Sequence, residues 1–355
     1  MKRVLSCILI CTMFCGCTIR KTTDYIIPDE IKSTETNIEY RTLIIDSKEG
    51  MYTYDDMKTD LETMALAYDG LVQLNILAQT LDDRNIYDLV IGDLNAEKHI
   101  IIHASIHARE YITSKLVMKQ LSYYLNSLYN NKGQYKNISY KELFEDVAVH
   151  VLPMINPDGV TLSQSGVGGL NTQNAKDRVT YVLSLNGLSD NNEVFKNWKA
   201  NANGVDLNRN FDAKWDEFIG SENPAPDRYK GKKPGSEPEA RALIELTTRY
   251  PVKRTISYHT SGEVIYWYFG QNGDLYEESK KFADELSIVT GYPTDENYQN
   301  LDPAGYKDWA LHQLSIPSIT IEVGSGTTPV GEHQITSIYE QNMNVWTETL
   351  YNIKY

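Results

Sequence analysis

The chain has 355 residues, 41% of them hydrophobic and 23% charged, and its 34 basic and 48 acidic residues give a formal net charge of −14. That balance is globular; it excludes collagen-like, coiled-coil and disordered classes and, with no basic block, a nucleic-acid partner. All four cysteines (Cys7, Cys11, Cys15 and Cys17) precede residue 18, so the body carries no disulfide framework, no cysteine-based zinc finger and no cysteine nucleophile.

Met1-Lys2-Arg3 opens onto an apolar run from Val4 to Phe14, the pattern of an export signal and too short for a membrane span. Phe14-Cys15-Gly16-Cys17 resembles a bacterial lipobox, with Phe14 where Leu is usual and Cys15 where Ala or Ser is usual. The resemblance implies a mature chain that starts at a lipidated Cys17. The expectation is a protein exported and held on the outer side of a bacterial cytoplasmic membrane, or otherwise secreted. Residues 18–50 are polar and aperiodic and read as a tether. Residues 51–355 show no internal repeat and no linker, so they are expected to form one domain.

Within that domain, Tyr54-Asp55-Asp56 puts acids in the first turn of a helix starting near Met57. Residues 86–91 read as a strand closed by Gly92-Asp93. Residues 98–103 (Lys-His-Ile-Ile-Ile-His) are a short apolar run typical of a buried strand. Residues 110–128 place Ile112, Leu116, Val117, Leu121 and Leu125 at helical spacing. Residues 147–155 form another buried strand, which runs into the turn signal Asn156-Pro157-Asp158-Gly159. Residues 162–204, rich in Ser, Gly, Asn and Asp, read as a long loop with one helix near Tyr181 to Leu185. Further along come a helix over 237–249 with Pro238 in its first turn, a strand over 254–259 and a helix over 274–290 stopped at Gly291. A strand over 316–323 and a closing helix over 335–351 complete the list. Strands alternating with helices define an α/β domain with a largely buried sheet.

Side chains able to do chemistry gather in a few places. His107 and Glu110, in His103-Ala104-Ser105-Ile106-His107-Ala108-Arg109-Glu110, sit between a buried strand and a helix, where a tight turn can aim both at one point. Imidazole and carboxylate are a partial zinc set, and a catalytic zinc takes three protein ligands and keeps one position open. His259, at the carboxyl end of a strand where α/β sites form, is the best third member; His103 is its rival. His99, His150, His312 and His333 read as ordinary histidines. Asn208-Arg209 follows a tight turn and pairs a neutral donor with a guanidinium fork suited to a carboxylate. Glu322 is a lone acid in the apolar strand Ile319-Thr320-Ile321-Glu322-Val323. Burial there is expected to raise its pKa into the range of a general base.

Five ordered pieces, His107-x-x-Glu110, Asn156-Pro157-Asp158-Gly159, Asp206-x-Asn208-Arg209-Asn210, Ser257-Tyr258-His259 and Thr320-Ile321-Glu322, resemble the carboxypeptidase A-like zinc metallopeptidase family over roughly residues 50–355. The resemblance implies a mixed eight-stranded sheet flanked by helices and one Zn²⁺ per chain held by His107, Glu110 and His259. It also implies Asn208 and Arg209 as a clamp on the substrate's terminal carboxylate, and Glu322 as general base. The family's carbonyl-polarising Arg falls at Lys199, in Asn197-Trp198-Lys199-Ala200-Asn201, a point charge in place of a fork. Its mobile Tyr falls nearest Tyr298, two residues further from Trp309 than the family spacing.

The floor of the family's side-chain pocket falls at Lys307, which suits a substrate side chain ending in a carboxylate. Together with Ser257 to Trp267 and Trp198-Lys199-Ala200-Asn201, this resembles the bacterial γ-D-glutamyl-diaminopimelate peptidases of the family. Three readings follow: hydrolysis of γ-D-glutamyl-diaminopimelate bonds in cell-wall muropeptides, general removal of C-terminal residues from peptides, or a lipid-anchored peptide-binding protein on a decayed site. The partners expected are a peptide or muropeptide and a membrane surface, with no nucleic acid and no obligate protein partner.

Overall fold

A computed structural model of the chain describes residues 50–299 and 301–355. The export signal, the lipobox and the tether as far as residue 49 lie outside the described residues.

The domain starts with helix α1 (Tyr54–Ala67), closed at its N-terminus by a Thr53–Asp56 capping box. Strands β1 (Val72–Gln79) and β2 (Asn85–Ile91) form a hairpin, and β3 (Lys98–Ala104) passes through a tight turn into helix α2 (Ile112–Tyr129). A small ribbon, β4 (Gln134–Tyr135) and β5 (Ile138–Ser139), and helix α3 (Tyr140–Phe144) lead to β6 (Val147–Leu152). Helices α4 (Pro157–Ser165), α5 (Gln173–Leu185), α6 (Asn192–Lys196) and α7 (Pro238–Arg249) precede β7 (Val252–His259) and β8 (Val264–Tyr266). The remainder is α8 (Gly273–Thr290), α9 (Tyr306–Leu314), β9 (Ser318–Glu322), α10 (Ile335–Asn342) and α11 (Val345–Lys354).

The main sheet is mixed and has seven strands among the described residues, in the order β1-β2-β6-β3-β7-β9-β8. The expected eighth strand is reduced to one bridge between Ile265 and Thr294 beside β8. β6, β3, β7 and β9 run parallel in the centre, with antiparallel edges. Both faces are covered, which explains the near-continuous apolar strand sequences. Ile100 and Ile102 point into one core with α2, α8 and α11, while Ile101 points into the other with α7 and α9. Truncating a fully buried residue such as Leu116 to Ala is expected to cost about 2–5 kcal/mol.

Three departures from the sequence reading have local causes. Residues 162–204 are largely helical: Ala175, Val179, Val182, Leu183, Phe195 and Trp198 build a third core under a polar surface composition. Asn156-Pro157-Asp158-Gly159 starts helix α4 rather than making a turn: Asn156 Oδ1 accepts from Gly159 N at 3.0 Å and Pro157 takes the first helical position. The closing helix is broken at Met343-Asn344, where Gln120 donates to Asn342 O at 2.8 Å and Tyr124 OH donates to Met343 O, taking carbonyls from the helical ladder.

The parallel strands set the site. The chain leaves β3 to reach β6 on one side and later returns as β7 on the other, so the crevice at the carboxyl ends of β3 and β7 is a topological switch point. His259 ends β7, Glu322 ends β9 directly beside it in register, and His107 lies just past β3.

Candidate active site

His107, Glu110 and His259 converge. His107 Nδ1 lies 2.9 Å from Glu110 Oε1, His259 Nδ1 lies 2.9 Å from Glu110 Oε2, and the two Nδ1 atoms are 3.1 Å apart. All three side chains are buried. A tetrahedral zinc with bonds of about 2.0–2.2 Å sets its ligands about 3.3–3.6 Å apart, so small outward shifts adapt the triangle to the ion. The donor chemistry also fits, since two ring nitrogens facing each other have at most one hydrogen to share and a cation gives both lone pairs a partner.

The turn that carries His107 and Glu110 is braced from below. Ser105, at φ +50°, reverses the chain after β3, and its hydroxyl meets those of Thr113 and Ser114 at 3.0 and 2.7 Å. Asn156, besides capping α4, donates through its NH₂ to Ile106 O at 3.2 Å and to Ala200 O at 3.1 Å. Gly159 permits that packing: a Cβ there would fall 2.6 Å from Ala200 O. Ala108 N donates to Lys199 O at 3.0 Å. The His107 turn and the Lys199 segment are therefore one rigid piece.

Asp206 stands behind His107, its Oδ1 3.3 Å from His107 Nε2. A carboxylate in that place fixes the ring and raises its basicity toward a metal. The sequence signal was present, a lone acid in Val205-Asp206-Leu207 just ahead of Asn208-Arg209, but its partner is 99 positions away and no spacing rule reports it.

The charges are mutually adjusted. Burial alone would raise the Asp206 pKa, yet the nearby Lys199 charge and the His107 contact hold it well below the usual range. Burial likewise opposes ionisation of Glu110, but His107 and His259 overcome it and keep the carboxyl low. Glu322 is the opposite case: burial, with the Glu110 charge adding, pushes it up to about 7 against the lowering effect of His259 and Lys199. The Lys199 charge acts on His107, Asp206, His259 and Glu322. His103 stands apart. It is fully buried, meets Ser257 Oγ at 2.7 Å and packs edge-on against Tyr306.

Asn208 and Arg209 lie on a short turn at Leu207–Arg209. Asn208 Oδ1 accepts from Tyr306 N at 3.0 Å, which leaves its NH₂ to donate. Arg209 lies over the Phe218 ring at 5.1 Å, and Nη2 pairs with Asp302. Lys307, at the start of α9, is not a bare cation: Nζ donates to Tyr268 O at 3.2 Å and to Asp308 Oδ1. Tyr298 is partly exposed, packed edge-on against Tyr268 at 4.8 Å and Trp267 at 6.0 Å, on the same wall as Lys307.

Three buried donors at a switch point, a carboxyl of raised pKa beside them and a guanidinium–amide pair within the same fold define a metal-assisted hydrolase. A family model described as zinc carboxypeptidase matches residues 57–345. The chain belongs to that family and is a zinc metallopeptidase. It is 33% identical over 306 residues to gamma-D-glutamyl-L-diamino acid endopeptidase 1 of Lysinibacillus sphaericus, covering 84% of this chain and 72% of that protein. It is 27% identical over 287 residues to carboxypeptidase B of Astacus astacus, covering 77% of this chain and 86% of that one. The crystal structure of thrombin activatable fibrinolysis inhibitor shares the fold, with a TM-score of 0.68 at 19% identity over 89% of this chain and 79% of that chain.

Proposed function

We propose that the protein hydrolyses the γ-D-glutamyl bond to a diamino acid in bacterial cell-wall peptides, with His107, Glu110 and His259 as the zinc ligands. The observation that carries this reading is the charged wall at Arg209, where the guanidinium and the Asp302 carboxylate present both signs. Such a wall suits a terminal residue whose side chain carries both an amine and a carboxylate. The similarity to a protein named for γ-D-glutamyl-L-diamino acid cleavage supports the same choice.

Zinc in a three-ligand site supplies a Lewis acid and lowers the pKa of water. The chain's own residues do the rest. Glu322, whose pKa burial raises to about 7, removes a proton from the attacking water as the carboxylate and returns it to the departing nitrogen as the C–N bond breaks. The Lys199 ammonium stabilises negative charge developing on the carbonyl oxygen. Asn208 and Arg209 hold the free carboxylate of the terminal residue, fixing the scissile bond over the donors. Tyr298, on the wall that carries Lys307, is assigned to cover the bound residue.

Purified zinc-loaded protein is to be incubated with L-Ala-γ-D-Glu-diaminopimelate and with its α-linked isomer, and the products identified by mass. Release of diaminopimelate from the γ-linked peptide alone is the expected result. Trimming of the α-linked peptide alone contradicts the reading and makes the protein a general carboxypeptidase.

The amino terminus supports an exported enzyme anchored by a lipid on Cys17, close to such a substrate. Metabolic labelling with palmitate is expected to mark the wild type and leave a Cys17→Ala variant unmarked.

A further inference from the structure

Arg209 is engaged before any substrate arrives. Its Nη2 pairs with the Asp302 carboxylate and its Nη1 donates to Asn208 O at 2.8 Å. The Arg209 side chain is 10% exposed and that of Asp302 54% exposed, so a buried cation is met from the solvent side by an acid. The loop holding Asp302 is fixed close by: Ala304 O accepts from Phe211 N at 3.2 Å, and Ala304 N donates to Ala213 O at 2.9 Å. Gly305 lies against Asn208, where a Cβ would come 3.1 Å from Oδ1. Asp302 is thereby carried over the carboxylate clamp.

The neighbouring acid is already committed. Asp308 Oδ2 accepts from Gly305 N at 3.2 Å, and Oδ1 accepts from Lys307. Asp302 uses only Oδ2, on Arg209, and Oδ1 has no hydrogen-bond partner among the described residues. Of the two acids, Asp302 is the one able to receive a new cation.

A substrate that brings only a carboxylate to Arg209 must approach the Asp302 charge or displace it and leave it unpaired, and both cost binding energy. A substrate that also brings an ammonium exchanges partners charge for charge, its carboxylate going to Arg209 and its amine to Asp302. We infer that Asp302 is the residue by which this site selects a terminal residue with a side-chain amine and rejects one without it. The inference rests on the proposed diamino-acid specificity and assigns it to one side chain; Asp302 is a specificity residue, not part of the bond-breaking machinery.

The test uses two substrates that differ only by the amine, γ-D-Glu-L-lysine and γ-D-Glu-L-norleucine, on wild type and on Asp302→Asn, with thermal unfolding as the folding control. Wild type is expected to favour the lysine substrate by at least about tenfold in kcat/KM, because a site built to pair a polar group rejects the analogue lacking it. Asp302→Asn is expected to bring that ratio near one, partly by improving the norleucine substrate. A damaged fold cannot produce that gain. A ratio unchanged in Asp302→Asn, or equal losses on both substrates, overturns the inference. If γ-linked substrates are not cleaved, the proposed linkage fails. The α-linked pair N-acetyl-L-Ala-L-lysine and N-acetyl-L-Ala-L-norleucine then reads Asp302 independently. Calorimetric titration with free lysine and norleucine gives the same ratio without turnover, and equal affinities in wild type count against the inference.

Discussion

Two groups of two histidines and a carboxylate are built around one strand. His99 lies near the start of β3 and joins a chain: Asp88 Oδ2 to His150 Nδ1 at 2.8 Å, His150 Nε2 to His99 Nδ1 at 2.9 Å, and His99 Nε2 to Ala96 O at 3.0 Å. The His99 ring is stacked on Tyr250 at 4.7 Å. His107, just past the end of β3, instead joins Glu110 and His259 in a triangle with sides of 2.9, 2.9 and 3.1 Å. In the chain each ring nitrogen faces a different neighbour and its capacity is consumed. In the triangle the lone pairs share one focus, with Asp206 behind to hold the ring. Each group is two imidazoles and a carboxylate; the direction of the lone pairs makes the triangle the one that could hold a metal ion.

Removing a corner of the triangle has the largest expected effect. His259→Ala is expected to lose bound zinc and with it all measurable turnover, read by elemental analysis and by peptide hydrolysis. Glu322→Gln is expected to keep a full complement of zinc and lose about 10²–10⁴-fold in kcat; activity near wild type would remove Glu322 from the role of base. Asp206→Asn is expected to weaken zinc binding about 10–100-fold, measured by competition with a chelator, since the carboxylate acts through the His107 ring.

The chain-like group answers differently. His150→Ala leaves His99 and Asp88 buried without their partner and is expected to cost about 1–3 kcal/mol in denaturant unfolding, with zinc content unchanged. A smaller effect follows from pH. Burial, with the neighbouring His150 adding, depresses the pKa of His99 below its ordinary 6.5. Below pH 6.5 the unfolded chain then binds a proton that the folded one does not, so stability falls as pH drops through that window. The slope from this group is at most about 1.4 kcal/mol per pH unit. His99→Gln is expected to flatten it; an unchanged slope assigns the pH dependence elsewhere.

What the sequence made legible follows the same physics. The buried strands β3, β7 and β9 show as apolar runs, and the residues at their carboxyl ends, His107, His259 and Glu322, could be named because a polar group closing such a run stands out. Local rules failed where a feature depends on distant partners. Strand β1 is a half-buried edge without a clean alternation. Helix α5 hides its apolar face in a polar segment. Asn156 looked like a turn residue because its second role, tying Ile106 to Ala200, lies 50 and 44 positions away. Asp302 was invisible for the same reason, its partner Arg209 being 93 positions distant.

The most direct test of the account counts zinc in four purified variants, His107→Ala, His259→Ala, His99→Ala and His150→Ala, beside the wild type. One zinc per chain in the wild type and in both variants of the chain-like group, with none in the two variants of the triangle, is the predicted result. Full zinc occupancy in His107→Ala and His259→Ala would contradict it and place the metal on other residues.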